Sequence, residues 1–149
     1  MHEDNRNRYY TASAGQLTVL TAYHEMQQSG DMSAPFLQES SFWWLTGITE
    51  PGWKLILDAA RKQAVLVRPH RSEIDVIFNG AMSDEAIAEI SGISHIIAEK
   101  EFEGELRQRH RSHAIAYTIT PSHSGNGDVV ANPAQAELHE TLARIFGSV

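Results

Sequence analysis

Cysteine is missing from this chain altogether. A disulfide framework and thiolate chemistry are therefore excluded, and a reducing compartment is compatible. Long apolar runs are missing too. No stretch approaches the roughly 20 apolar residues needed to span a bilayer. The first ten residues, M-H-E-D-N-R-N-R-Y-Y, lack the apolar centre of a signal peptide. Positive charge is scarce: 12 Lys and Arg stand against 19 Asp and Glu, a net charge of −7. That balance opposes non-specific attraction to nucleic acid or anionic membrane. The expectation is a soluble cytoplasmic protein with no nucleic-acid or membrane partner.

Apolar residues make up 42% of the 149 and charged residues 21%. This is a globular composition, and the length suits one domain over residues 1–149 with an ordinary core. The polar stretch Met1 to Gly15 has no periodicity and predicts a frayed start, part of it a short helix. Leu17 to Tyr23 is apolar and β-branched and predicts a strand. Gln27 to Pro35 predicts a loop, and Ser41 to Leu45 a short aromatic strand closed by Thr46-Gly47. Glu50-Pro51-Gly52 predicts a turn. Trp53–Asp58 and Gln63–Arg68, separated by Ala59 to Lys62, predict an antiparallel hairpin. Pro69 then ends the second strand.

Ser83-Asp84-Glu85 predicts a capped helix start, with Ile87 and Ile90 on one face and Gly92 as the stop. His95 to Ala98 predicts a short strand and Lys100 to Arg111 a second helix. In that helix Phe102 and Leu106 share a stripe, and Glu103/Arg107 and Glu105/Arg109 form i,i+4 pairs. Ala114 to Thr120 predicts a strand and Pro121 to Asn132 a loop. The last helix has Asn132 as cap, Pro133 first and Gly147 after its end, with Leu138, Leu142, Ile145 and Phe146 buried. Strands and helices mix without strict alternation, so the expected fold is α/β, a mixed β-sheet covered by helices.

Catalytic motifs are sparse. His110 and His113 lie three apart, but no acidic third ligand is near, and solvated surface histidines are expected. His139-Glu140 begins an H-E-x-x-H pattern that fails at Ala143. Both are expected at the boundary or in solvent. No G-x-S-x-G exists. Gly125-Asn126-Gly127 is wrongly placed for a phosphate loop and reads as an ordinary loop. Asp31, Asp58, Asp75, Asp84 and Asp128 are scattered, which leaves an independent hydrolase or nuclease as the weakest reading. The positives of Lys100 to Arg111 are expected to form a solvated, salt-bridged face.

The densest feature is Phe36 to Trp53, F-L-Q-E-S-S-F-W-W-L-T-G-I-T-E-P-G-W, which holds all three tryptophans of the chain. Aromatics so concentrated are seldom left in water. If the segment is a strand, Trp43 and Trp44 point to opposite faces. One is then inward, and the outward one is covered by a helix or meets another protein.

This stretch resembles the N-terminal domain of Xaa-Pro peptidases, the aminopeptidase P, prolidase and creatinase group. The resemblance rests on Phe36, Gln38-Glu39-Ser40, Phe42-Trp43-Trp44, Thr46-Gly47 and Thr49-Glu50-Pro51, with the hairpin Trp53 to Arg68 following in place. It implies a creatinase-like N-terminal fold, and hydrolysis by a separate C-terminal pita-bread domain that is absent from this chain. That domain would carry two divalent metals, often manganese. No catalytic or metal-binding residue is carried onto this chain. The C-terminal catalytic domain and further copies of the chain are the implied partners. The implied role is a cleft wall with oligomer contacts, for which Trp43, Trp44, Ile77 and Phe78 are the candidates. Family members place a tryptophan near Glu73 to Phe78, and none stands here. The alternative is a free-standing binding or dimerisation module.

Overall fold

The computed structural model describes residues 2–23, 39–70, 81–118 and 133–147. Five helices, α1 (His2–Ala12), α2 (Ser40–Thr46), α3 (Asp84–Ser91), α4 (Phe102–His110) and α5 (Pro133–Phe146), surround one sheet among these residues. Its strands are β1 (Leu17–Thr21), β2 (Lys54–Asp58), β3 (Gln63–Arg68), β4 (Ile96–Ala98) and β5 (Ala116–Tyr117). The spatial order is β4-β3-β2-β1-β5. The central pairs β1/β2 and β2/β3 are antiparallel, and the outer pairs β3/β4 and β1/β5 are parallel. The expected mixed sheet is present.

Alternation along the strands divides the core in two. Leu20, Leu55, Leu57 and Leu66 face the side that also buries Tyr10, Phe42, Leu45 and Ile87. Val19, Ile56 and Val65 lie side by side in register and face the other side, with Phe102, Leu106, Leu138 and Leu142. Helices α1, α2 and α3 therefore cover one face, and α4 and α5 the other. The antiparallel hairpin, the Glu50-Pro51-Gly52 turn and α5 with its buried Leu138, Leu142 and Phe146 fall where expected. Helix α3 has its predicted caps: Ser83 accepts from the Ala86 N–H, and Gly92 takes the left-handed conformation. Ile87 is fully buried but Ile90 is 41% exposed, so the two do not share the buried face.

Three expectations fail. Ser40–Thr46 is a helix, not a strand. The Glu39 carboxylate accepts from the Phe42 N–H at 2.6 Å, and Gly47 closes the other end at φ 72°. Helical spacing lets Phe42, Leu45 and Thr46 enter the core together. Capping and burial thus overrode aromatic strand propensity, which is weak and context-dependent. The N-terminus is a docked helix rather than a frayed one. Besides Tyr10, the residues it buries are the polar Asn5 and Arg6, which apolar periodicity does not register. His113 is not a solvated histidine. Its side chain is 9% exposed and bonded to Asp58, and α4 ends at His110, so the two histidines do not share a helix face.

The strand expected from Ala114 onward is confined, among the described residues, to Ala116–Tyr117. The helix expected from Lys100 begins with a 3-10 turn, Glu99–Glu101. The loops at 27–35 and 121–132, the cap at Asn132, the Gly125-Asn126-Gly127 segment, and Ile77 and Phe78 lie outside the described residues.

Candidate functional site

Two polar constructions and one exposed aromatic surface stand out. The surface lies on α2. With Phe42, Leu45 and Thr46 turned inward, Trp43 and Trp44 both turn outward, at 42% and 41% exposure. Opposite faces were expected of a strand. In a helix, adjacent residues lie only about 100° apart, so both indoles fit on the outer side. The His2 ring meets Trp43 edge-on, with centroids 5.4 Å apart and planes at 83°.

Helix α1 holds this surface in place. The Asn5 amide donates to the Trp44 carbonyl at 2.7 Å, and His2 Nδ1 lies 3.1 Å from the same oxygen. Arg6 is 4% exposed and donates from Nη1 to two carbonyls, Leu45 at 2.8 Å and Ser91 at 2.6 Å. These carbonyls belong to the last turns of α2 and α3. Helix C-termini carry partial negative charge and unsatisfied carbonyls, so one guanidinium closes two helices. Burial lowers the Arg6 pKa from its ordinary value, and the charges of Tyr10 and Glu3 oppose that shift. Nothing in the polar sequence around Arg6 marks it for this role.

The second construction centres on Asp58, which is 1% exposed at the end of β2. Its carboxylate accepts from Arg61 at 2.9 Å and Arg109 at 2.8 Å, and His113 Nε2 lies at 3.0 Å. Arg109 also donates to Glu105 and Gln63, and Arg61 to Ser112. Burial pushes the Asp58 pKa up, but the three side-chain partners and the Arg61 N–H outweigh it and hold the group below its ordinary value. The network ties the sheet to α4 and to the chain entering β5. Of the scattered aspartates, Asp31, Asp75 and Asp128 lie outside the described residues, and the two described ones, Asp58 and Asp84, have cationic partners of their own. Asp58 is surrounded by cations, and Asp84 pairs with Arg68. The solvated-face expectation for Lys100 to Arg111 holds for Arg107 but not for Arg109, whose side chain is 10% exposed. The one local signal for this hub was Arg61 three residues after Asp58.

No group of three or more His, Asp or Glu among the described residues could hold a metal ion. His139 and Glu140 are exposed on α5. No described helix is long and apolar enough to cross a membrane.

The family model described as "Aminopeptidase P, N-terminal domain" matches residues 2–117. The chain belongs to that family. The aminopeptidase P N-terminal domain match covers every described element except α5. Two similar proteins are Xaa-Pro aminopeptidases. The one from Escherichia coli is 26% identical over 130 residues, covering 85% of this chain and 29% of the relative. The one from Haemophilus influenzae is 22% identical over 144 residues, covering 94% and 33%. The chain therefore spans about a third of these relatives' length. Solved structures share the fold. Proline aminopeptidase P II from Yersinia pestis superposes with a TM-score of 0.69 at 23% identity, covering 97% of this chain and 32% of that one. The low-pH form of Escherichia coli aminopeptidase P gives 0.67 at 22%, covering 95% and 32%. Another matched structure is a zinc-substituted Escherichia coli aminopeptidase P in complex with product. The described residues of this chain offer no equivalent metal centre, so no chemical step is assigned to a metal here.

Proposed function

We propose that this chain is a non-catalytic N-terminal domain of a Xaa-Pro aminopeptidase or dipeptidase. In this reading it works in the cytoplasm beside a catalytic domain that holds two divalent metals, manganese being the expected ion. The domain contributes shape. It walls the substrate cleft and carries oligomer contacts, while hydroxide activation belongs to the metals of the other domain. Trp43 and Trp44 are the proposed contact residues on α2, with Ile77 and Phe78 proposed alongside them from the sequence. The observation that carries the reading is the family match over residues 2–117.

The test is turnover of Xaa-Pro peptides in manganese by the chain alone and by the chain joined to a family catalytic domain. Activity only in the joined protein is expected. Manganese-dependent cleavage by the chain alone would overturn the reading.

A second reading, a free-standing binding or dimerisation module, is favoured by the paired exposure of Trp43 and Trp44. It requires self-association or partner capture that Trp43→Ser with Trp44→Ser abolishes. A monomer at all concentrations in sedimentation, unchanged by the substitutions, would remove its dimerisation form.

A further inference from the structure

A groove of about 870 Å³ opens where the parallel strands β3 and β4 end. Helix α3 connects these strands, and its N-terminal residues Ser83 and Asp84 form part of the lining. Ligands of α/β sheets commonly bind at the carboxyl ends of parallel strands. The volume falls in the range of about 300–1,000 Å³ usual for small-ligand sites.

Two carboxylates pin the walls. Glu50 accepts from the Met82 N–H at 2.7 Å and from Trp53 Nε1 at 3.1 Å, which ties the turn before β2 to the entry of α3. Glu99 accepts from the His70 N–H at 3.1 Å and from Lys54 at 3.4 Å, which ties the exit of β3 to the 3-10 turn. Arg68 is neutralised by Asp84. A site with walls already fixed costs less ordering on binding.

The lining is mainly apolar, with Pro69, Met82 and Ala98 contributing carbon surface. The charges around it are paired, with one exception. Among the described residues the Lys100 ammonium has no hydrogen-bond or ion-pair partner, and Lys100 is exposed at the rim. An apolar trough with one free cation fits a ligand that has apolar side chains and a single carboxylate.

We propose that this groove binds a short peptide, with the peptide's C-terminal carboxylate at Lys100. The choice of a peptide rests on the peptidase reading above. The trough and the free ammonium do not depend on it. In the joined enzyme the groove would hold the residues downstream of the scissile bond and favour substrates short enough to place their carboxylate there.

The probe is a fluorescently labelled five-residue peptide with proline second, used as the free acid and as the C-terminal amide. Binding to the purified 149-residue chain is followed by anisotropy. Saturable binding of the acid is expected, weakened about tenfold by amidation and by Lys100→Glu, as for loss of one charge-assisted hydrogen bond. Lys100→Arg should restore binding. Arg111→Glu, at a site outside the groove lining, should leave it unchanged. No saturable binding of the acid would overturn the proposal, as would equal binding of acid and amide with no effect of Lys100→Glu. If the joined enzyme cleaves peptides but Lys100→Glu leaves its preference for length and for a free carboxylate intact, the groove assignment fails and the peptidase reading stands. If the chain binds the acid through Lys100 while the joined protein cleaves nothing, the peptidase reading fails and the groove assignment stands.

Discussion

Arg6 donates to the Ser91 carbonyl at 2.6 Å across 85 positions of sequence. The same nitrogen reaches Leu45, so the first helix closes the ends of two others. Arg6→Met keeps much of the apolar stem but leaves both carbonyls without this donor. Hydrogen bonds to charged groups contribute roughly 1.5–3 kcal/mol, and a stability loss in that range is expected. Urea unfolding measures it. A loss below about 0.5 kcal/mol, the level of an ordinary surface substitution, would show that the carbonyls are satisfied without Arg6.

Gly47 and Gly147 both sit in the left-handed region, at φ 72° and 82°. A Cβ at Gly147 would meet nothing within 4 Å, whereas one at Gly47 would lie 2.5 Å from His2 Nε2. Gly147→Ala should cost only the backbone term, about 1–2 kcal/mol. Gly47→Ala should cost more, because it also displaces His2. In a double-mutant cycle, His2→Ala should relieve that excess and leave Gly147→Ala unaffected. Equal costs at the two glycines would refute the steric argument.

The pH dependence of stability follows from Asp58 and Glu99. Both have pKa values held below the ordinary carboxylate range. Burial raises each. The hydrogen bonds to Asp58, and for Glu99 the His70 N–H and Lys54, outweigh it. A depressed folded pKa means stability is fully present above the unfolded value, about 4, and is lost as pH falls through the folded value. Stability should therefore drop in the acid range below about pH 4. Asp58→Asn should lower stability at neutral pH by about 3 kcal/mol, since it removes the charge opposite Arg61 and Arg109. It should also flatten the acid limb. An acid limb as steep as that of the native chain would mean other carboxylates govern it.

Tryptophan emission can separate the helix from the strand expectation. Trp53 is fully buried, whereas Trp43 and Trp44 are half-exposed on one side of α2. The chain should show two quenchable indoles and one shielded from acrylamide. Trp43→Phe with Trp44→Phe should leave a single blue-shifted, weakly quenched emission. One exposed and two shielded indoles, the pattern of a strand with one face buried, would contradict the helical α2.

Much of the scaffold was legible because its signals are local. The apolar runs Leu55-Ile56-Leu57 in β2 and Ala64 to Val67 in β3, the Ser83 and Gly92 caps, and the Leu138/Leu142/Phe146 stripe are each local features. The aromatic segment was misread because Phe-Trp-Trp-Leu satisfies a strand preference, while the deciding hydrogen bond comes from Glu39, an unusual cap. Trp43 and Trp44 are both half-exposed on one side of the helix, where a strand would have turned one of them inward. Its support by His2, Asn5 and Arg6 leaves no periodic trace, because those side chains bind backbone oxygen rather than an apolar core.

The sequence by itself determined the mixed sheet and most of its covering helices, since apolar period and capping chemistry are written between near neighbours. It also determined the family, through the aromatic stretch and its Thr-Glu-Pro turn. Only the tertiary structure decided that Arg6 closes two helices, that Asp58 gathers Arg61, Arg109 and His113, and that Lys100 stands at a groove without a partner among the described residues. Such pairings join residues tens of positions apart, and a charged side chain looks the same in sequence whether it meets water or a buried partner.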